Sequence, residues 1–140
     1  MSPTDTDGRR IVDGMLARDA FSRWLGLELV DLQPGTCTCR LTVRADMVNG
    51  LGVTHGGVVY SLADSALAFA CNAYGQVTVS IENTIRYPAP VKPGDVLTAV
   101  VATAGGSRRL EYYNGRITNQ DGAVVGLFTG TVYRTERKHN

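Results

Sequence analysis

Asp64 is the only acidic or basic side chain in an otherwise apolar stretch of the sequence, residues 58–71. A lone carboxylate in apolar surroundings is costly unless it is paired, hydrogen-bonded or solvated by a pocket. We therefore interpret Asp64 as a functional group; the alternative is a place on a solvated helical stripe or a bond to neighbouring backbone. Burial would raise its pKa and suit a general base that activates water, whereas nearby donors would lower the pKa and suit a carboxylate nucleophile. The sequence leaves both roles open.

A glycine-rich segment, residues 49–57, directly precedes this stretch and adds further candidates. Backbone N–H groups at the start of a helix can stabilise an oxygen that becomes negative during a reaction, and Gly56 and Gly57 stand at that position. The alternative is that these glycines serve only close helix–sheet packing. His55 would either polarise the site or, as the default for a lone histidine, hydrogen-bond the backbone of the loop. Asn49 would orient a water or a carbonyl through its amide, or it is only the first residue of an Asn-Gly turn.

The surrounding pattern predicts the elements that must hold these groups. Apolar residues at helical spacing mark a leading helix within residues 11–25, residues 27–32 are expected to be extended, and strict alternation predicts strands over residues 36–44 and 77–87. Three further extended runs, joined by hairpin loops, follow residue 87, and residues 58–71 are typical of a buried helix. An antiparallel sheet needs an apolar partner, and this is the one long apolar helix. We therefore predict an α+β fold in which about six strands wrap around one long central helix.

The order of these elements, together with Asn49-Gly50, His55-Gly56-Gly57 and Ser61-Leu62-Ala63-Asp64, resembles the hotdog-fold acyl-CoA thioesterases of the phenylacetic acid degradation (PaaI-like) family. The resemblance extends over residues 20–133 by element order, and its specific part is confined to residues 49–72. It implies hydrolysis of an acyl-CoA, aromatic such as phenylacetyl-CoA or a hydroxylated derivative, to the free acid and coenzyme A.

The resemblance also implies a serine near the acid, on the strand that follows the helix. Ser80 is the nearest match to that serine. The alternation of this strand, however, places Ser80 away from the apolar face and places Asn83 on it.

Gly56 and Asp64 are too far apart to act on one carbonyl within a single chain, because at about 1.5 Å per residue they are separated by about 12 Å along a helix axis. If both act on one thioester, Asp64 comes from a second subunit and the site lies at a two-fold interface. The resemblance implies the same arrangement, with Asn49, His55 and Gly56 of one subunit facing Asp64 of the other. It further implies a homodimer that pairs again into a homotetramer.

Residues beside these groups are candidate substrate contacts. Gly57, Tyr60 and Asn83 are expected to line the reacting end of the substrate. The nucleotide end of coenzyme A carries phosphates, and Arg108 and Arg109 form the best local basic cluster for them. A solvated hairpin tip explains the same two arginines equally well.

The composition and the predicted domain boundaries of the chain limit the other classes of protein to which it could belong. The chain has 140 residues with 14 basic and 13 acidic side chains, which suits one domain and supplies no broad positive field for nucleic acid. We divide it into a polar segment with the start of the leading helix (1–19), one hotdog domain (20–134) and a basic, solubilising tail (135–140). The apolar stretch is too short and too polar to span a bilayer, and the N-terminus has no signal-peptide core. Three cysteines are too few for a disulfide scaffold. We expect a cytoplasmic protein without membrane or nucleic-acid partners.

No metal or redox cofactor is expected, because coenzyme A is part of the substrate. Cys37 and Cys39 offer half a metal site, but only two histidines accompany them, and we interpret the pair as small apolar side chains on one strand face. Two alternatives to a thioesterase stay open. One is a hotdog acyl-thioester dehydratase, for which only His55 is available as the catalytic histidine, and the other is an acyl-CoA-binding protein without catalysis.

Overall fold

An antiparallel sheet packs around one long helix in the computed structural model, which describes residues 5–140. Within that range the helices are α1 (Asp5–Arg18), α2 (Ala20–Leu25) and α3 (Gly56–Asn72), and the strands are β1 (Glu28–Gln33), β2 (Thr36–Thr42), β3 (Gln76–Arg86), β4 (Val96–Gly106), β5 (Leu110–Thr118) and β6 (Val124–Lys138). The six strands are ordered β1-β2-β4-β5-β6-β3, and α3 contacts every one of them. The predicted α+β architecture is confirmed.

Helix α3 is the centre of the core because nearly all its positions carry small or apolar side chains. Leu62, Ala66 and Leu67 are fully buried against the sheet. The helix ends after Asn72, and Gly75, with φ of 112°, adopts a backbone conformation that only glycine adopts readily as the chain turns into β3. A helix that is buried over most of its surface is held mainly by packing, so its position relative to the sheet is closely determined.

Strand β2 follows the predicted alternation. Cys37, Cys39 and Leu41 are fully buried on one face of the strand, whereas Arg40 is exposed. The two sulfur atoms lie 3.6 Å apart without a disulfide, and their hydrogen bond, together with burial, raises the pKa of Cys37. The interpretation of this pair as apolar core side chains is confirmed.

Strand β3 departs from the predicted alternation. Val79 and Ile81, which we placed on the buried apolar face, are 49% and 58% exposed. The register against β6 shifts between Ser80 and Glu82, where a β-bulge inserts an unpaired residue. Because β3 forms an open edge of the sheet, the apolar side chains of Val79, before the bulge, and of Ile81, within it, stay uncovered within one chain.

Two predicted boundaries are wrong. The leading helix is divided, since Asp19 accepts a hydrogen bond from the backbone of Ser22 and starts α2 as a separate helix. The basic tail is largely strand, because β6 continues to Lys138, where it pairs with Gln76. Of the predicted N-terminal polar segment, residues 1–4 lie outside the described residues. No helix within residues 5–140 is long and apolar enough to cross a membrane.

Candidate active site

The carboxyl group of Asp64 lies halfway along α3 and is bonded to a side chain of β3. Asn83 Nδ2 donates to Asp64 Oδ1 at 3.0 Å and to the hydroxyl oxygen of Tyr60 at 3.1 Å. Asp64 is half-buried, and burial raises its pKa above the ordinary value of an aspartate, against the lowering effect of Asn83. The negative charge of Asp19 raises that pKa further. Burial and a nearby donor, the two effects on the Asp64 pKa considered from sequence, are thus both present, and the effect of burial is the larger.

The position of Asn83 depends on Gly130, its neighbour on β6. A Cβ atom at Gly130 would lie 2.7 Å from Asn83 Oδ1, so only glycine leaves room for this amide. Asn83 Oδ1 is buried and accepts no hydrogen bond within residues 5–140. Asn83 therefore orients Asp64 directly, a closer role than the substrate contact expected from sequence.

Ser80 lies on the same sheet face as Asn83, contrary to the alternation. It stands opposite Val132, whose side chain is fully buried, and the bulge then returns Asn83 to that face. Ser80 is exposed, and its side chain makes no hydrogen bond in the described part of the chain. Asn83, rather than Ser80, contacts the acid within one chain.

The start of α3 is held by His55. Its Nδ1 atom accepts from the N–H of Gly57 at 2.9 Å and caps the helix. The loop-holding interpretation of this histidine is confirmed. A Cβ at Gly57 would lie 2.9 Å from His55 Nδ1, so the glycine is needed for the cap.

Only one of the two glycine N–H groups at this helix start is available to a ligand. Gly57 donates to His55, whereas the N–H of Gly56 has no acceptor among residues 5–140. Tyr87, which the sequence did not single out, packs on Gly56 and donates its hydroxyl proton to the Gly56 carbonyl at 2.9 Å. Tyr87 directly follows the last residue of β3, and no motif in the sequence marked it as a site residue.

Asn49 acts within its loop. Its Oδ1 accepts from the N–H groups of Leu51 and Val53 at 2.8 and 3.3 Å, which confirms the turn interpretation. The Nδ2 group makes no hydrogen bond to the residues that the structure describes. A role for Asn49 in orienting water or a carbonyl stays a prediction, and the Nδ2 group is the part of the side chain that could perform it.

Arg108 and Arg109, near the β4–β5 hairpin, are partly engaged with residues of β6. Arg109 forms a 2.6 Å ion pair with Glu136 and donates to the main-chain oxygen of Arg134. Arg108 is exposed, and its own carbonyl accepts from Arg134. The structure brings both arginines to β6 and shows no contact between them and Asp64 or Gly56.

An apolar cavity of about 320 Å³ lies between α2, residues 46–48 and the N-terminus of α3. Phe21 and Trp24 of α2 form one wall, with ring centroids 6.1 Å apart, and the Arg44 guanidinium lies 5.0 Å from the Trp24 ring centre. Phe21 and Trp24 are 56% and 55% exposed. His55 and Gly57 border this cavity.

No group of three or more His, Cys, Asp or Glu side chains within residues 5–140 is arranged to hold a metal ion. The polar groups of the candidate site that we have described are the carboxyl of Asp64, the amide of Asn83, the hydroxyls of Tyr60 and Tyr87, and the N–H of Gly56.

Comparison with known proteins gives consistent results. The profile of the thioesterase superfamily matches residues 51–125. The acyl-coenzyme A thioesterase PaaI of Escherichia coli (strain K12) is 36% identical over 120 residues, which is 86% of each chain. The structure of the E. coli PaaI protein from the phenylacetic acid degradation operon superposes with a TM-score of 0.92 at 32% identity, covering 96% of this chain and 97% of that one.

A third match was solved with a ligand. The hypothetical thioesterase from Streptococcus pneumoniae TIGR4, crystallised with coenzyme A, has a TM-score of 0.83 at 25% identity and covers 90% of this chain and 98% of that one.

Proposed function

Since this chain belongs to the thioesterase superfamily, has the hotdog fold and is a thioester hydrolase, we propose that it hydrolyses an acyl-CoA to the free acid and coenzyme A with Asp64 as its catalytic acid–base group. The observation that carries this proposal is the half-buried carboxyl of Asp64, bonded through Oδ1 to Asn83 and with a raised pKa. Relatives named acyl-coenzyme A thioesterase and a neighbour solved with coenzyme A support the substrate class.

The general-base role fits the environment of Asp64 better than the nucleophile role. A raised pKa makes the carboxylate a stronger base, and Oδ2, which has no partner within the described residues, is available to a water molecule. Asp64 takes a proton from water as the water oxygen attacks the thioester carbonyl carbon. The C–S bond then breaks, and the carboxyl proton passes to the departing coenzyme A sulfur. Water supplies both the hydroxyl of the acid and the thiol proton, so the step needs no metal or redox cofactor.

The oxyanion of the tetrahedral intermediate is assigned to the N–H of Gly56. This N–H is at the positive end of α3 and has no acceptor within residues 5–140. Asp64 is about 12 Å further along the same helix. The N–H and the carboxyl that act on one thioester therefore come from two copies of the chain.

The open edge of β3 supports a homodimer that would bring two copies together in this way. Val79 and Ile81 are exposed on this edge strand, and Asp64 is bonded to the same strand through Asn83. Pairing two β3 edges would place these apolar side chains beside those of the second copy and would satisfy the unpaired backbone groups of the edge. Pairing of dimers into a homotetramer and a cytoplasmic location stay predictions.

The cavity walled by Phe21 and Trp24 supports an aromatic acyl group. Its volume of about 320 Å³ is within the range of small-molecule pockets, and its border at His55 and Gly57 is adjacent to the proposed oxyanion donor. Stacked aromatic side chains favour an aryl ring through offset or edge-to-face contact. A phenylacetyl-type or hydroxyphenylacetyl-type acyl group, as the operon of the E. coli relative suggests, fits this wall.

The test is release of free coenzyme A thiol from phenylacetyl-, benzoyl-, short-chain and long-chain acyl-CoA by the wild-type protein, Asp64→Asn and Asp31→Asn. Asp31 is an exposed carboxylate of β1 and is the matched control for loss of one negative charge. We expect turnover to fall by about 100-fold or more in Asp64→Asn and to be retained in Asp31→Asn.

Equal turnover by wild type and Asp64→Asn would remove Asp64 from the mechanism. Binding of acyl-CoA without turnover would favour the non-catalytic binding protein, and formation of an enoyl-CoA from a 3-hydroxyacyl-CoA would favour the dehydratase. A preference for short-chain over aromatic acyl groups would contradict the assignment of the aromatic cavity.

A further inference from the structure

A basic groove lies between α1 and the last residues of β6, away from the groups discussed above. We define it by Arg10 and Arg18 of α1, Arg137 and Lys138 of β6, and His139. Its volume is about 450 Å³. Arg10, Gly14 and Arg18 follow each other at intervals of one helical turn, so one face of α1 presents two guanidinium groups with a glycine between them.

Three of the four arginine and lysine side chains of the basic groove, those of Arg18, Arg137 and Lys138, have no local charge compensation. Arg18, Arg137 and Lys138 form no ion pair with any residue in the described range, and Arg10 donates only to the main-chain oxygen of Asn140, at 2.9 Å. The whole chain carries a formal net charge of only +1. A cluster of like charges repels itself, and a bound anion would relieve that repulsion.

His139 closes one side of the groove and is held firmly in place. Its N–H donates to the Gly75 carbonyl at 2.8 Å, and Nε2 lies 2.7 Å from Asn72 Oδ1. Because an amide oxygen cannot donate, Nε2 carries the hydrogen of this bond, and the neutral ring leaves Nδ1 unprotonated. Burial lowers the pKa of His139, and so do the nearby charges of Arg18 and Arg137. The pKa of the His139 ring is therefore sensitive to the positive charge of the groove.

We propose that the basic groove binds the phosphate group of a small phosphorylated molecule. Planar guanidinium groups match phosphate oxygens with paired N–H donors, and two helix-borne and two strand-borne cations surround the cavity from both sides. This chemistry is shared by the nucleotide end of coenzyme A and by free phosphate or an independent nucleotide. Only the coenzyme A source rests on the proposed function, since the groove itself does not involve Asp64 or Gly56.

The test follows the two histidines of the chain by NMR during pH titrations with inorganic phosphate, and with chloride at matched ionic strength. A bound phosphate offsets the charges of Arg18 and Arg137, so the pKa of His139 rises with phosphate and is unchanged by chloride. We expect the double variant Arg18→Gln/Arg137→Gln to weaken phosphate binding by about tenfold or more. Arg116→Gln, an exposed arginine of β5 outside the groove, is the matched control and should bind as the wild type does.

Coenzyme A and dephospho-coenzyme A, which lacks the 3′-phosphate, distinguish the sources. If coenzyme A moves the His139 resonance at lower concentration than inorganic phosphate or dephospho-coenzyme A, its nucleotide end is the occupant. If inorganic phosphate acts and coenzyme A does not, the occupant is a separate phosphorylated ligand. If no phosphate compound moves the His139 pKa, or if Arg116→Gln weakens binding as much as the double variant, the proposal is overturned.

Discussion

The two oxygens of the Asp64 carboxyl are in different situations. Oδ1 accepts from Asn83 Nδ2, whereas Oδ2 has no partner within residues 5–140. Asn83 thereby fixes the orientation of the carboxyl and lowers its pKa, while burial raises it. At this scale the sequence indicated Asp64 as a candidate, because a charged side chain in an apolar helix is conspicuous. The bond to Asn83 could not be predicted, because it depends on a β-bulge that alternation does not reveal.

The effect of Asn83 on Asp64 should appear in the pH profile. Asn83→Ala removes a donor that stabilises the ionised carboxylate, so the pKa of Asp64 rises. Because the base must be ionised, activity is then lost at a higher pH as the solution is acidified. The measurement is kcat/KM against pH, with Thr84→Ala, an exposed neighbour on β3, as the control. An acidic limb that stays in place in Asn83→Ala would show that Asn83 does not act on Asp64.

The N–H of Gly56 can be removed with little other change. Proline is well tolerated at the first position of a helix, and His55, with φ of −60° and ψ of 132°, already has the extended conformation that a following proline requires. Gly56→Pro should lower kcat by about 100-fold or more relative to Gly56→Ala.

Gly56→Ala is the matched control because its Cβ meets the same Tyr87 ring at 3.1 Å but its N–H is retained. Equal turnover by the two variants would exclude this N–H as the oxyanion donor.

At the scale of elements, hydrophobic periodicity predicted every strand and the central helix but not all their boundaries. Strand β2 alternates as expected because one face packs on α3 and the other faces outward. Strand β3 does not, because as an edge strand it accommodates a bulge and exposes Ile81. The end of β6 was misjudged because Arg137 and Lys138 are charged, although their backbone belongs to the strand. Composition describes side chains, whereas strand pairing is decided by the backbone.

The turn before β4 depends on a buried carboxylate. Asp95, 2% exposed, accepts from the Lys92 N–H and from Gln120 Nε2, both at 3.0 Å. The Lys92 backbone bond is the main reason why the pKa of Asp95 is lowered, and Gln120 and the Lys92 charge contribute in the same direction against burial. A carboxylate whose folded-state pKa is lowered stabilises the protein above its unfolded pKa of about 3.9 and loses this effect as the pH falls through its folded value.

Asp95→Asn should therefore lower the free energy of unfolding by about 1–2 kcal/mol at neutral pH, and the difference from wild type should shrink below about pH 4. Urea denaturation at pH 7 and pH 3 measures this difference. Asp121→Asn, exposed in the loop next to Gln120, is the control. A difference that is the same at both pH values would mean that the ionised carboxylate contributes no stability.

At the scale of the whole molecule, one chain contains Asp64 and Gly56, the proposed acid and the proposed oxyanion donor, but does not bring them together. The α3 axis separates them, and the open β3 edge offers the surface through which a second copy would complete the site. The sequence alone predicted this division, because the number of helical residues between Gly56 and Asp64 fixes their separation. The surface itself could not be predicted, since the alternation had assigned Val79 and Ile81 to the core.

Dimerisation through the β3 edge should be sensitive to charge at Ile81. Ile81→Lys places an ammonium group on each of two facing edges, so the dimer should dissociate and turnover should fall with it. Val30→Lys, a 46% exposed position on β1 at the opposite edge of the sheet, should leave the dimer intact. Sedimentation velocity gives the oligomeric state of each variant. A dimer that persists in Ile81→Lys would show that the copies associate through another surface.

The most direct measurement of the shared site mixes two inactive chains, Asp64→Asn and Gly56→Pro. In a mixed dimer, one site combines the intact Gly56 of the first chain with the intact Asp64 of the second, and the other site lacks both. After random exchange half of the dimers are mixed and each has one working site, so the account predicts recovery of about a quarter of wild-type coenzyme A release. No recovery, with mixed dimers demonstrated by mass spectrometry, would place Gly56 and Asp64 in separate roles and contradict the account.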